Sequence, residues 1–258
     1  MNISWENICY PLIFLAGFLL GRLVNIVLQY FVDKIGSNHL QTTRSSLIGS
    51  TNSTLMNLSR KGRLETHKWG ERLTELVSAV GAVLLFIKFG VSLNFFAVII
   101  FCASLLAVSR IDMQAMIIPD VITLSGTIVG FILSSLNYDP YMDWKSSLTG
   151  ILIGVGMLYV PAYIFRLFKG TDGIGGGDIK LIGMVGSFIG AQGVLFTILI
   201  ASLGGYVLGL IGAICKRTPS KAVIPFGPFI SSSAVLYVFC GKTIINNIFV
   251  ILYFFFES

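Results

Sequence analysis

Two aspartates, Asp112 and Asp178, stand where polar connections meet apolar segments. Asp112 lies in SRIDMQAMIIPD at the end of one apolar run, and Asp178 follows three glycines in GIGGGDIKLIG. An ionisable side chain at a membrane boundary is costly, so both are candidates for function. If the carboxylates meet, they cannot both ionise cheaply, and the pair tends to hold one proton. The ionised member would activate water and the protonated member would donate to a peptide carbonyl, as in aspartic proteolysis.

Other acids near these two offer alternatives. Asp120 follows Pro119, which opens the next apolar segment where a missing N–H is harmless, and an acid is favourable there by the helix dipole alone. Asp172 caps or solvates the glycine-rich loop, and the plain alternative for Asp178 is a solvated residue in a flexible turn. The spacing makes Asp112 and Asp178 the first candidates for a catalytic pair. It leaves open which of the two is the general base.

The composition places these residues in a membrane protein. Of 258 residues, 55% are hydrophobic and 12% are charged, which is outside the range of soluble domains. We therefore predict an all-α, polytopic helical bundle of about eight transmembrane helices with its N-terminus outside. The predicted segments are about 11–32, 73–90, 92–109, 119–137, 146–168, 181–214 (wide enough for two spans) and 226–240. Residues 243–256 are a ninth span, an interfacial helix or an extension of the eighth.

The orientation follows from the connections between these segments. With the N-terminus outside, residues 33–72, 109–119, 168–181 and 214–225 share one side of the membrane. These connections and their immediate edges hold fourteen of the eighteen Lys and Arg residues. The positive-inside rule makes this the cytoplasmic side. The net charge of +6 therefore requires no nucleic-acid partner.

The long polar stretch 33–72 divides the chain. Residues 1–32 form the first membrane segment, 33–72 a cytoplasmic loop rich in Ser, Thr and Asn, and 73–258 the membrane core. The only histidines, His39 and His67, lie in this loop without partner cysteines. The four cysteines lie in or beside apolar segments without a C-x-x-C pair: Cys9, Cys102, Cys215 and Cys240. We therefore expect no metal site, and no zinc in particular.

Asn25 and Glu75 are polar residues inside the first two apolar segments. Asn25 lies one helical turn after Gly21, which forms a G-x-x-x-G pair with Gly17, so we interpret all three as helix-packing residues, with Asn25 bonding across helices. Glu75 lies one turn after Glu71 and either pairs with Arg72 or Lys68 or faces a polar cavity.

The two aspartate motifs, in this order and topology, resemble the type IV prepilin peptidases, which are GxGD-type intramembrane aspartyl proteases. GRLVNIV, ELVSA and IPFGPF (224–229) are similar to three further family motifs, so the resemblance covers most of the chain. It implies that Asp112 and Asp178 are the catalytic residues. Substrate-binding or structural roles are expected for Gly175, Gly176, Gly177, Lys180, Pro119, Asn25, Glu75, Pro225, Gly227 and Pro228. Lys180 would pair with an aspartate or a lipid phosphate rather than take part in catalysis.

The resemblance also implies the partners and the location. The substrate would be a prepilin or pseudopilin, of a type IV pilus or type II secretion system, with a short basic leader before an apolar helix. Cleavage would follow a glycine at the cytoplasmic face of the bacterial inner membrane. Besides these substrates we expect lipids as partners and no nucleic acid, and the sequence carries no indication of oligomeric state.

Two departures concern a second activity. Many members carry two C-x-x-C pairs in the first cytoplasmic loop, and this chain has none there. The family's R-L-P after the first span is replaced by Tyr30, Phe31 and Val32. Many members also methylate the new N-terminus with S-adenosylmethionine, a function linked to this loop, and the departures put it in doubt. Proteolysis needs no cofactor, and S-adenosylmethionine is expected only if methylation is retained.

Three rival interpretations remain from the residues. Another GxGD protease, such as an archaeal preflagellin peptidase or a presenilin-like enzyme, fits the aspartates but not IPFGPF or the first-span motif. A transporter or channel component would use Asp112 and Asp178 in an ion path, which predicts polar residues across the whole bilayer. A structural assembly subunit would tolerate asparagine at either aspartate.

Overall fold

The computed structural model describes residues 5–44, 53–136, 142–170, 175–214, 225–241 and 243–244. Side chains are described for all of these residues except 5–8, 32–44, 53–68 and 213. Seven α-helices and a π-helical turn make up these residues: α1 Trp5–Arg44, α2 Ser53–Phe89, α3 Leu93–Ala115, α4 Asp120–Ser135, α5 Trp144–Lys169, α6 Gly176–Ile214, α7 Gly227–Leu236 and the turn Tyr237–Gly241. No β-strand occurs in these ranges, so the predicted all-α class is confirmed.

Within the described ranges, four helical segments are long and apolar enough to cross a membrane: Cys9–Phe31, Leu93–Ala115, Trp144–Lys169 and Gly176–Gly212. The helices Asp120–Ser135 and Gly227–Gly241 are shorter and also apolar. The chain is therefore a polytopic membrane protein, as predicted. The number of about eight spans and the outside N-terminus stay predictions, as does the nature of residues 245–258, which lie outside the described residues.

The prediction for 33–72 is a loop with short helical pieces, and it is wrong over 33–44 and 53–72, which are helical throughout. Helix α1 continues to Arg44, and α2 begins at Ser53 and runs without interruption into its apolar half. Polar composition excludes burial in lipid but not helix formation, and Leu, Lys, Arg and Glu are good helix formers. The cytoplasmic location of this part stays a prediction.

The chain divides into two compact units, Met1–Ala107 and Val108–Ser258. In the first unit, α1 packs against α2 through the predicted glycines. A Cβ at Gly17 would lie 2.7 Å from the Cβ of Ala82, and one at Gly21 would lie 2.7 Å from the Cα of Glu75. The hydroxyl of Ser78 donates to the carbonyl of Gly17 across this contact, at 2.8 Å.

In the second unit, α4, α5 and α7 each pack against α6. Helices α5 and α6 meet backbone to backbone, since a Cβ at Gly150 would overlap the carbonyl oxygen of Gly186. The Ser147 hydroxyl adds a 3.0 Å hydrogen bond to the carbonyl of Ser187. At the start of α5, the Asp143 carboxylate accepts a 2.8 Å hydrogen bond from the Ser146 N–H, which lowers the pKa of that carboxyl.

Helix α6 is interrupted at Gly190, whose φ of 68° and ψ of −176° lie outside the helical region. This backbone conformation is accessible to glycine and strained for other residues. The apolar run 181–214 is therefore divided, as the sequence predicted. That each part crosses the membrane stays a prediction.

Candidate active site

Asp112 lies in the last turn of α3, and its side chain is only 6% exposed. Its carboxylate oxygen Oδ2 accepts a 2.9 Å hydrogen bond from the backbone N–H of Gly227, at the start of α7. The first N–H groups of a helix have no partner inside the helix, so they are free to bind an anion. The start of α7 thus supplies a fixed donor to a buried acid.

Gly227 is required by this contact. A Cβ at that position would lie 2.7 Å from Asp112 Oδ2 and 3.1 Å from its Cγ. Pro228, in the first turn of α7, needs no N–H there, and the half-buried Pro225 precedes the helix. IPFGPF therefore has a structural explanation at Gly227, which sequence reasoning selected without giving its role.

Asp178 lies in the first turn of α6 and is half-buried. Its N–H donates to the carbonyl of Gly175 at 3.1 Å, and a Cβ at Gly175 would lie 3.0 Å from Asp178 Oδ2. A Cβ at Gly176 would meet no atom within 4 Å. A negative charge in the first turn of a helix is favoured by the helix dipole.

Both aspartates lie in the unit Val108–Ser258. Ile118, six residues after Asp112, packs on Gly177, the residue before Asp178, and the two carboxylates lie near enough for their charges to interact. Two interacting carboxylates, one buried against a backbone donor and one at a helix start, can hold a proton and activate water. Their juxtaposition was only conditional in the sequence, and their catalytic roles stay a prediction.

The short connection after Asp112 turns the chain toward α6. Met116 has a φ of 53°, in the left-handed region, and its N–H donates to the carbonyl of Asp112 at 2.9 Å. Ile118, two residues later, is buried against Gly177, where a Cβ would lie 2.8 Å from the Cβ of Ile118. Sequence reasoning missed Met116 and Ile118, because apolar residues in an apolar stretch carry no distinguishing signal.

A second contact joins the same parts of the chain. The ammonium of Lys180 lies 2.6 Å from Asp120 Oδ2, so the predicted pairing of Lys180 with an aspartate is found. Pro119 is the N-cap residue of α4, and its carbonyl accepts the N–H groups of Ile122 and Thr123 at 3.2 and 3.3 Å. The alternative acid Asp172 lies outside the described residues.

Asn25 and Glu75 belong to the other unit, Met1–Ala107. The amide of Asn25 donates to the carbonyl of Glu71 at 3.1 Å, so its predicted bond across helices is confirmed. Glu75 is half-buried and forms no ion pair with Arg72, while the side chain of the other predicted partner, Lys68, lies outside those described, so that pairing stays a prediction.

The described side chains form no metal site. Among them, no three His, Cys, Asp or Glu residues come together in a group that could hold a metal ion. The side chains of both histidines, His39 and His67, lie outside those described. The expectation that the protein binds no zinc therefore stays a prediction.

Comparison with known proteins places this site in a family. Residues 99–210 match the model of the Type IV leader peptidase family. The chain is similar to the prepilin leader peptidase/N-methyltransferase of Xanthomonas campestris pv. campestris, with 33% identity over 175 residues, which are 68% of this chain and 60% of the relative. Its counterpart in Burkholderia pseudomallei (strain 1026b) is 33% identical over 66% of this chain and 54% of the relative. The relative from Bacillus subtilis (strain 168) is 32% identical over 67% of this chain and 66% of the relative.

No solved structure matches this chain. The chain spans little more than half the length of the first two relatives. The segment that matches the family contains Asp112, Asp178, the connection after Asp112 and the start of α6, whereas Gly227 lies outside it. Through residues 99–210, this chain belongs to the type IV leader peptidase family.

Proposed function

We propose that this protein is a membrane aspartic endopeptidase that removes the leader peptide of type IV prepilins or type II secretion pseudopilins. The observation that carries the proposal is the placement of Asp112 at the end of α3 and Asp178 at the start of α6, two helix ends inside the family segment that the packing of Ile118 on Gly177 joins. The name of these relatives, prepilin leader peptidase, supports the substrate class.

In the proposed reaction, one aspartate is ionised and the other protonated. The carboxylate takes a proton from a water molecule, whose oxygen attacks the carbonyl carbon of the scissile peptide bond. The protonated aspartate donates its proton to the carbonyl oxygen, which gives a neutral tetrahedral diol. When the diol collapses, a proton passes to the amide nitrogen, the C–N bond breaks, and a new carboxylic acid and amine leave. The Gly227 N–H keeps the Asp112 carboxylate in one orientation.

The proposed location is the cytoplasmic face of the bacterial inner membrane. The two aspartates lie in the last turn of α3 and the first turn of α6, which are ends of apolar helices. Arg166 and Lys169 lie in the last turn of α5, and such cationic helix ends are typical of the cytoplasmic side. A site at this edge suits a substrate whose basic leader stays in the cytoplasm while its apolar helix lies in the bilayer.

The alternative function, a transporter or channel component, is not favoured, since the family and the named relatives are peptidases. The relatives' name also includes N-methyltransferase. The side chains of 32–44 and 53–68, in the region that the resemblance links to S-adenosylmethionine, lie outside those described.

The test is the intact mass of a prepilin co-expressed with the full chain. We expect wild type to release the leader, and Asp112→Asn and Asp178→Asn to leave the prepilin uncut. Asp143→Asn is the matched control, because asparagine caps a helix as well as aspartate does, and it should cleave normally. One additional methyl group on the product would show that the protein also methylates the new N-terminus.

Two outcomes would contradict the proposal. If wild type, present in the membrane, leaves several different prepilins and pseudopilins uncut, the peptidase function is wrong. If cleavage survives asparagine at either position, the assignment of the pair is wrong.

A further inference from the structure

Two contacts join the α3–α4 connection to the start of α6, one on each side of Asp178. Ile118 packs on Gly177, immediately before the aspartate. Asp120 binds Lys180, two residues after it, with 2.6 Å between Oδ2 and Nζ. One contact is apolar and buried and the other is ionic and exposed, so they restrain the same two chain segments independently.

The connection from Asp112 to Asp120 is short and conformationally restricted. Met116 adopts a φ of 53°, and Pro119 has a fixed φ of −68°. Because the Met116 N–H is bonded to the Asp112 carbonyl, the connection begins from the helical turn that bears the acid. Displacement of Asp120 is therefore transmitted toward Asp112, while displacement of Lys180 moves the helical turn that carries Asp178.

The ion pair contributes little to folding but much to geometry. The side chains of Lys180 and Asp120 are 42% and 56% exposed, and exposed ion pairs add little to stability. A reaction that needs two carboxylates around one water is far more sensitive, since a displacement of about 1 Å can lower a rate by about a hundredfold. A contact that is almost neutral for stability can thus set the rate.

We propose that Lys180 and Asp120 are positioning residues, whose ion pair fixes the separation between the carboxylates of Asp112 and Asp178. This inference rests on the proposed peptidase function. Neither residue touches the reacting atoms; each acts through the helix end next to which it lies. Their loss should therefore lower kcat while leaving substrate binding nearly unchanged.

A double-mutant cycle tests the pair in the full-length protein, purified in detergent, with a purified prepilin. We expect Asp120→Asn and Lys180→Met each to lower kcat about tenfold, with KM within about twofold of wild type. The double variant should be no slower than the slower single variant, because either change removes the same interaction. Lys145→Met, which removes an exposed lysine at the start of α5, is the control and should retain wild-type kcat.

The cycle overturns the proposal if both single variants keep wild-type kcat, or if the loss in the double variant is the product of the two single losses. A loss of kcat that merely follows a lower thermal midpoint would also overturn it, since the role would then be structural.

A second readout does not require activity. In a chain whose four native cysteines are replaced by alanine, Asp112→Cys and Asp178→Cys are cross-linked with a short bifunctional thiol reagent. We expect a lower cross-linking yield when Asp120→Asn is added, and an unchanged yield contradicts the positioning role. If wild type cleaves no prepilin, the proposed function fails, whereas this measurement still decides the geometry.

Discussion

At the residue scale, Asp112 is held by a backbone group instead of by another side chain. The Gly227 N–H lies 2.9 Å from its Oδ2, and α7 starts at that residue. A backbone donor at a helix start cannot rotate away, so the orientation of the carboxylate depends on where α7 begins. Glycine lets the backbone of α7 approach the Asp112 carboxylate this closely, since a Cβ would lie 2.7 Å from Oδ2.

We therefore predict that Gly227→Ala abolishes most peptidase activity while the protein still folds. The added methyl group would displace either α7 or the Asp112 carboxylate, and crowding of this kind costs about 1–3 kcal/mol. Prepilin cleavage and the thermal midpoint should be measured on the same preparation. Gly205→Ala is the control, since its Cβ would meet the Phe226 ring at an ordinary 3.4 Å. Full activity in Gly227→Ala would show that the contact is not needed.

The sequence was informative about these residues to different degrees. Asp112 and Asp178 could be selected because a carboxylate at the edge of an apolar segment is rare and costly. The hydrogen bond from Gly227 could not be predicted, since it joins residues more than a hundred positions apart and depends on where α3 ends and α7 begins. The packing of Ile118 on Gly177 escaped for a similar reason, as only the folded chain brings this isoleucine to that glycine.

At the element scale, α6 organises the second unit because small residues let its neighbours approach. Gly150 of α5 faces the backbone of Gly186, and a Cβ at Gly130 of α4 would lie 2.7 Å from the Phe188 ring. Close backbone approach at small residues stabilises helix pairs in lipid, where the hydrophobic effect does not drive association. Because Asp178 lies at the start of α6, this packing also fixes the position of Asp178 in the site.

Gly150→Ala should accordingly destabilise the second unit by about 1–3 kcal/mol, because its Cβ would overlap the Gly186 carbonyl. The measurement is the thermal midpoint in a fixed detergent. Gly156→Ala on the same helix is the matched control, since its Cβ would meet no atom within 4 Å, and helix propensity alone should make it neutral or slightly stabilising. Equal midpoints for the two variants would contradict the packing argument.

The elements themselves were predictable only where hydropathy determines them. The apolar segments correspond to helices, since a chain in lipid must satisfy its backbone hydrogen bonds internally. The same criterion failed over 33–72, where α1 and α2 extend into polar sequence. The division of the run 181–214 was predicted from its length, but its position at Gly190 was not, because several other glycines lie in the same run.

At the scale of the whole molecule, the proposed function depends on which face of the membrane carries the aspartates. Helix α5 has 26 residues, which at a rise of about 1.5 Å per residue extends about 39 Å, enough for a hydrocarbon core of about 30 Å. Its two ends must then lie on opposite sides. The last turn carries Arg166 and Lys169, whereas Asp143 caps the start. The positive-inside rule therefore predicts that the end at Lys169 lies in the cytoplasm.

This orientation is tested with two single-cysteine proteins, Lys145→Cys and Lys169→Cys, in a chain whose native cysteines are replaced by alanine. A thiol reagent that cannot cross the inner membrane, added to cells with a permeabilised outer membrane, should label the first and spare the second until the inner membrane is opened. The substituted side chains are exposed and lie at opposite ends of one helix, so each serves as the control for the other. The reverse labelling pattern would place the start of α5 in the cytoplasm and remove the argument that the site meets the leader of a prepilin there. Labelling of both from outside would mean that α5 does not cross the membrane.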